Sequence, residues 1–280
     1  MHGTLPTVDE IEEDIKQNAP STIYKFRSWS DLYHQRLLTH RQIWFAHPFT
    51  LNDPLDVRPD IAINLAEVQS PAFFAKLLAS VNFKHPWLNN DRDRNVVAEN
   101  HWQHLKLHPD EVLANRREYL ATEKNFDPYG IFSTGINPLS QKLWREYADN
   151  YNGYCIGFNT LALWRQLNCH YGPVYYSDTP LPYSFLNQTF EENKKALFTK
   201  KTIWQEEEEF RFLTAGIGGH SKRLHIFTAD TVWKFFLGGN LSPQNEAEIM
   251  DLIINDYPAN IPIFKVSVLP SGVLQQQQIR

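Results

Sequence analysis

Short strand patterns, separated at irregular intervals by helical patterns, limit the folds open to this chain. Residues 23–27 alternate with period two, so Tyr24 and Phe26 point to one side and Lys25 and Arg27 to the other. Further strand patterns occupy 42–46, 130–134, 154–158, 174–176, 207–213, 224–228 and 263–268, and helical patterns occupy 8–17, 31–40, 140–151, 185–200 and 242–256. Several strands follow one another closely. This order predicts an α+β fold with a mixed or antiparallel central sheet, not a doubly wound parallel sheet.

The segment from about 71 to 124 differs from its surroundings because its pattern is helical. Ser70 and Pro71 form a helix cap followed by a proline at the first helical position. Residues 91–108 and 109–124 are two polar, amphipathic stretches. We therefore expect a single α+β domain over residues 1–280, with a helical insertion at about 71–124.

Composition excludes several classes of protein. The 280 residues include 42% hydrophobic side chains, enough for a large core, and a net charge of −5 gives no electrostatic signature for duplex nucleic acid. The two cysteines form no disulfide framework, which favours a reducing compartment. No signal-peptide pattern and no apolar stretch of transmembrane length occur. We expect a soluble, cytoplasmic protein with no membrane partner.

The most chemically specific motif combines four consecutive glutamates with alternating phenylalanines. If 207–212 is a strand, Glu207, Glu209 and Arg211 share one face, while Phe210 and Phe212 share the other with Glu208. The phenylalanines favour the core, so the first face is expected to border a cleft or solvent. Two carboxylates beside a guanidinium can bind a cation or stabilise a developing positive charge. A solvated acidic patch is the alternative, and a one-residue slip would promote Glu208 instead.

Other candidates are single residues or pairs. Arg27 could bind phosphate or carboxylate with its planar fork, or form a surface ion pair. Asn52 and Asp53 have the chemistry of a turn that could border a binding cleft. Ser133 could hydrogen-bond a ligand or cap a turn.

Two helical patterns have both an ordinary and a functional interpretation. Trp144 and Tyr147 are three residues apart on one helix face, a spacing typical of core packing but also suited to a ligand platform. His101, His104 and His108 fall on roughly one face of a helix, where a polar surface is the default and a zinc site the alternative. We expect no metal at these histidines.

Five short motifs in order resemble an uncharacterised bacterial family, domain of unknown function 2971. They are YKFR at 24–27, FTLNDP at 49–54, IFS at 131–133, LWREYA at 143–148 with GYCIGF at 153–158, and WxxExEFR at 204–211. The resemblance extends from about residue 23 to 270. It implies a family without implying a function.

A looser resemblance is to the ADP-ribosyltransferase fold, through an arginine on the first strand, a central serine and a late strand with Glu-x-Glu. It implies NAD as the substrate and a nucleotide as the small-molecule ligand. Glu209 would stabilise the positive charge that forms on the ribose when nicotinamide leaves, and Glu207 would orient or deprotonate the acceptor. The resemblance implies NAD contacts from Tyr24, Arg27, Asn52, Asp53, Ser133, Trp144, Tyr147 and Arg211.

Three functions remain open at this point. The first is an NAD-consuming ADP-ribosyltransferase-like enzyme with a toxin or phage-defence role, whose acceptor is open. The second is a non-catalytic module that binds a ligand or another protein. The third is a metal-dependent nuclease or hydrolase built on Asp53, Asp56, Glu207 and Glu209, although the strand offers Arg211 where such an enzyme needs a lysine.

Overall fold

The computed structural model describes residues 6–58, 60–84, 87, 90–184, 186, 194–195, 197–216 and 220–280. The chain divides into two compact units. Unit 1 comprises Met1–Leu51, Asp127–Val174 and Ile203–Arg280, and unit 2 comprises Asn52–Phe126 and Tyr175–Thr202. The domain organisation expected from the sequence, a single domain over 1–280 with a helical insertion at about 71–124, stays a prediction.

Unit 1 contains helices on both sides of a large sheet. Its helices are α1 (Val8–Asn18), α2 (Leu32–Thr39), α6 (Gln141–Glu146), α7 (Thr160–Leu167) and α8 (Pro243–Asp256). Its strands are β1 (Thr22–Ser28), β2 (Gln42–Trp44), β4 (Gly130–Gly135), β5 (Gly153–Asn159), β6 (His170–Pro173), β10 (Glu209–Thr214), β11 (Leu224–Ile226), β12 (Val232–Gly238), β13 (Ile263–Val268) and β14 (Leu274–Gln278).

The helices of unit 2 within the described residues are α3 (Pro71–Lys84), α4 (Asp91–Leu107) and α5 (Asp110–Ala121). Its strands are β3 (Ile61–Ile63), β7 (Tyr175–Tyr176), β8 (Leu181–Tyr183) and β9 (Thr199–Lys200), which form the parallel pairs β3–β8 and β7–β9. Val68, Phe73, Leu105 and Val112 form an apolar cluster in this unit. The helix predicted at 185–200 falls largely outside the described residues.

The main sheet of unit 1 has eight strands in the order β14-β13-β12-β5-β1-β4-β10-β6. Only β12 and β13 are parallel, and every other neighbouring pair is antiparallel. Helices and a mixed, mostly antiparallel sheet confirm the predicted α+β class. Short 3₁₀ helices connect many of the elements, at Pro48–Thr50, Leu65–Gln69, Glu123–Phe126, Thr202–Glu207, His220–Arg223 and Ala229–Thr231.

The register of the strands defines two faces of this sheet. The Ile23 face includes Ile23, Phe132, Phe158, Phe210 and Phe212, which belong to one buried cluster with residues of α1, α2, α7 and α8. The Tyr24 face includes Tyr24, Phe26, Cys155 and Phe236, which belong to a second cluster with Leu143 and Trp144 of α6. Both faces are therefore covered by helices.

Strand β12 is not among the strands predicted from the sequence, because its apolar and polar residues do not alternate. Phe235 and Leu237 pack in the Ile23-face cluster, and Phe236 packs in the Tyr24-face cluster. A strand covered on both faces has apolar residues in succession, so it lacks the period-two signal of a half-exposed strand.

Helix α6 ends earlier than the predicted helix over 140–151. Asp149, Asn150 and Tyr151 have φ values of 50°, 49° and 68°, so the chain leaves the right-handed helical region well before Gly153. Ser140 still caps the helix, since its hydroxyl accepts a hydrogen bond from the Leu143 N–H.

Candidate functional site

The glutamate run lies at the start of β10, and only two of its members are buried. Glu207 and Glu209 are 3% and 5% exposed, while Glu208 is exposed. The predicted strand over 207–213 begins two residues later than expected, because Glu207 ends a 3₁₀ helix and Glu208 has a φ of 43°. This local change of backbone direction separates the two buried carboxylates from their exposed neighbour.

Glu209 and Arg211 form a buried pair on the Tyr24 face. The Arg211 Nε donates to Glu209 Oε1 at 2.8 Å, and Nη2 donates to Oε2 at 3.0 Å. Both side chains are almost inaccessible, at 0% and 4% exposure. The expectation that this face could border solvent is wrong, because both side chains are buried, and the alternative of a bordering cleft stays a prediction. A two-point contact of this kind fixes the orientation of the carboxylate.

Strand β4 supplies the surroundings of this pair. Arg211 is directly opposite Ser133, and Glu209 is directly opposite Gly135. A Cβ atom at Gly135 would lie 2.5 Å from Leu143 Cδ1 and 3.5 Å from the Glu207 carbonyl oxygen. A larger residue at this position would therefore displace the Leu143 side chain of α6.

The residue that follows α6 adds a hydroxyl group to the site. The Tyr147 hydroxyl donates to Glu207 Oε1 at 2.7 Å, and Tyr147 itself is partly buried. Among the predicted residues, Tyr147 thus contacts Glu207 through one hydrogen bond, and Arg211 contacts Glu209 through two. We call these four residues the carboxylate cluster.

Trp144 lies in the core and presents no surface to a ligand. It is fully buried, its ring packs edge-on against Phe26 at 5.4 Å, and its Nε1 donates to the Pro138 carbonyl oxygen at 2.8 Å. Tyr24 is also buried and packs against Phe236 at 5.8 Å. Trp144 therefore has the core-packing role that its spacing also allowed.

Arg27 is on the opposite face of the sheet from the carboxylate cluster. Its register partner is Tyr154, which packs in the Ile23-face cluster. Tyr24 is opposite Gly135, and Gly135 is opposite Glu209, so the Glu209 side chain lies on the Tyr24 face. The structure therefore does not bring Arg27 and Glu209 to one face, as a shared NAD contact would require.

Arg27 has its own polar surroundings. Burial lowers the pKa of Arg27, and the Tyr154 and Asp31 side chains oppose that effect. His34 lies on the neighbouring helix, and the Tyr154 hydroxyl donates to its carbonyl oxygen at 2.7 Å. Burial, followed by the positive charge of Arg27, lowers the pKa of His34 to about 4.

Lys25 is a charged residue of β1 that lies on the same face as Arg27 and has no predicted role. Its Nζ donates to the Ser133 carbonyl oxygen and lies 4.9 Å from the centre of the Phe132 ring. Burial, then the nearby charge of Arg27, lowers the pKa of Lys25 well below its ordinary value. A lysine in the middle of an otherwise buried strand is the sequence signal that could have identified it.

Asn52 and Asp53 belong to unit 2, whereas the carboxylate cluster belongs to unit 1. Asp53 Oδ1 accepts from the Leu55 N–H at 2.9 Å, which is the turn contact expected of an Asx residue. Asp56 pairs with Lys200 at 3.7 Å, and both side chains are 2% exposed. The acidic residues of the nuclease hypothesis are thus divided between the two units.

The helical histidines have ordinary surface contacts. His104 Nε2 lies 2.8 Å from Glu111 Oε2, and the rings of His104 and His108 are 4.7 Å apart. In the part of the chain that the structure describes, no group of three or more His, Cys, Asp or Glu residues has the arrangement of a metal site. None of the helices described has both the length and the apolar character needed to cross a membrane.

Residues 143–212 match the model of a family described as protein of unknown function (DUF2971). The match confirms that resemblance for the segment from α6 to β10, which contains every member of the carboxylate cluster. The DUF2971 motifs at 24–27, 49–54 and 131–133 lie outside the matched segment. No curated protein and no solved structure matched the chain.

Proposed function

We propose that this chain is an NAD-consuming, ADP-ribosyltransferase-like enzyme whose reacting carboxylates are Glu209 and Glu207. The observation that carries the proposal is the presence of two buried carboxylates at the start of β10, each held by a hydrogen-bond donor of the segment that matches DUF2971. The looser resemblance to ADP-ribosyltransferases supplies NAD as the substrate.

The proposed reaction breaks the bond between the nicotinamide nitrogen and the ribose. The bonding electron pair leaves with nicotinamide, and positive charge develops on the ribose. Glu209 would stabilise that charge, because its contact with Arg211 fixes the orientation of its carboxylate. Glu207 would take the proton of the acceptor as the new bond to the ribose forms.

The position of Arg27 changes one part of the original hypothesis. A ligand that contacts Glu209 on the Tyr24 face cannot reach Arg27 from the same side of the sheet. The proposed NAD site is therefore centred on the carboxylate cluster and does not include Arg27. Ser133, directly opposite Arg211, is the hydroxyl residue of the neighbouring strand on that face.

A second candidate is a non-catalytic module that binds a ligand or another protein, in which the carboxylate cluster is structural. Two observations favour it: both carboxylates are almost fully buried, and Arg27 and Glu209 lie on opposite faces. On this hypothesis Glu209–Arg211 is an internal ion pair that contributes to a unique fold.

The test is release of free nicotinamide from NAD by the purified chain, compared among wild type, Glu209→Gln and Glu206→Gln. Glu206 is the matched control because it belongs to the same acidic run but is exposed. We expect release by wild type and by Glu206→Gln, and its loss in Glu209→Gln with the circular dichroism spectrum unchanged. No release by wild type, with no thermal shift on addition of NAD, would favour the non-catalytic module.

A further inference from the structure

Strand β14 forms one edge of the eight-stranded sheet and is unusually unprotected. It consists of Leu274 followed by four glutamines, Gln275 to Gln278, all of which are exposed. Edge strands are normally protected from pairing with another chain by charged residues, prolines or bulges. None of these features occurs within β14.

The opposite edge of the sheet differs in this respect. Strand β6 has only four residues, contains Gly172 and ends at Pro173, which has no N–H to donate. The two edges of one sheet therefore have different capacities for further pairing, and β14 has the greater.

Hydrogen bonds at both ends of the β13–β14 ladder show which backbone N–H and C=O groups of β14 bond to β13. The Leu269 N–H donates to the Val273 carbonyl oxygen at 2.9 Å, and the Ile279 N–H donates to the Ile263 carbonyl oxygen at 2.8 Å. Bonded pairs alternate along an antiparallel ladder. Between these two ends, the alternation assigns the inward-directed groups to residues 275 and 277.

The backbone groups of the remaining three residues point away from the sheet. The pairing of β14 with β13 is unbroken from residue 274 to residue 278. The free edge therefore presents one N–H and one C=O from each of Leu274, Gln276 and Gln278. This edge is thus a ready template for an additional antiparallel strand.

We propose that a second copy of this chain occupies the edge, with its β14 antiparallel to the first across a two-fold axis at Gln276. Leu274 would then pair with Gln278 of the second copy, and Gln276 with its own counterpart, each pair forming two backbone hydrogen bonds. The two eight-stranded sheets would join into one continuous sheet.

The sequence of the edge suits an identical partner. An antiparallel pairing about Gln276 puts glutamines opposite glutamines, and a side-chain amide both donates and accepts hydrogen bonds. No like charges meet within the strand pair, so pairing with a copy of itself has no electrostatic cost at the contact. The proposal is independent of any activity toward NAD.

The test exploits the symmetry of the contact. A lysine at 276 would face the same lysine of the second copy, and a glutamate would face a glutamate, because directly opposite side chains are close in an antiparallel pair. By light scattering, we expect wild type to have twice the 32.7 kDa mass of the single chain. When each variant is measured alone, we expect Gln276→Lys and Gln276→Glu to be monomers. Mixing the two variants should restore the dimer.

Gln244→Lys is the control. Gln244 is exposed on α8, so this substitution adds the same positive charge at a position outside β14. It should dimerise like wild type. A wild-type chain that remains monomeric up to about 0.1 mM would overturn the proposal. So would a dimer that persists in both charged variants, because it would then form through another surface.

Discussion

Replacement of Arg211 by methionine should destabilise the folded chain by about 3–5 kcal/mol, because removal of one partner leaves a buried carboxylate without its guanidinium. The magnitude depends on burial, since an exposed ion pair contributes only about 0–1 kcal/mol. The Arg211 side chain is 0% exposed and the Glu209 side chain 4% exposed, so the buried value applies. The two contacts at 2.8 and 3.0 Å are lost together.

The assay is equilibrium unfolding in urea, followed by circular dichroism. Arg165→Met is the matched control: Arg165 also contacts a glutamate through two nitrogens, but its side chain is 54% exposed. We expect a much smaller loss for that variant. Arg211→Met combined with Glu209→Leu should cost less than the two single changes added together. If Arg211→Met destabilises the chain no more than Arg165→Met, the cluster is not the buried unit described above.

Three further predictions concern the core, the thiols and pH. Trp144→Ala should lower the unfolding free energy by about 3–5 kcal/mol in urea, and a loss near zero would contradict its core position. Burial raises the pKa of both thiols, so Cys155 and Cys169 should resist iodoacetamide at pH 8 until the chain is denatured; rapid labelling of the native chain would disagree. His34 has a pKa of about 4 instead of 6.5, so it binds a proton more tightly in the unfolded chain, and stability should fall as pH drops through that window. A His34 pKa near 6.5 by NMR titration would refute this.

Much of the sheet could be predicted from residues that alternate. The alternation at 23–27 and the spacing of Phe210 and Phe212 both predicted strands that the structure contains. In each strand, aromatic side chains alternate with charged side chains, so the two sets lie on opposite faces of the sheet. The α+β class followed from the irregular order of elements. Strand β12 lacked such a signal, because both of its faces are packed.

The candidate site was predictable in part. The motif at 204–211 identified Glu209 and Arg211 as neighbours on one face, which the structure also shows. It did not indicate that this face would be buried, because burial depends on α6 and on residues distant in sequence. Nor could the sequence show that Arg27 faces the other side of the sheet from Glu209, since that depends on the pairing of β1 with β4 and of β4 with β10.

The most direct test of the proposed site is the rate of nicotinamide release from NAD, measured separately for wild type, Arg27→Ala and Glu209→Gln. A site centred on the carboxylate cluster predicts that Arg27→Ala retains the wild-type rate and that Glu209→Gln loses it. Loss of release in Arg27→Ala, with the fold intact, would contradict the assignment of the reaction to the Tyr24 face. Equal release by wild type and Glu209→Gln would remove the carboxylate from the mechanism.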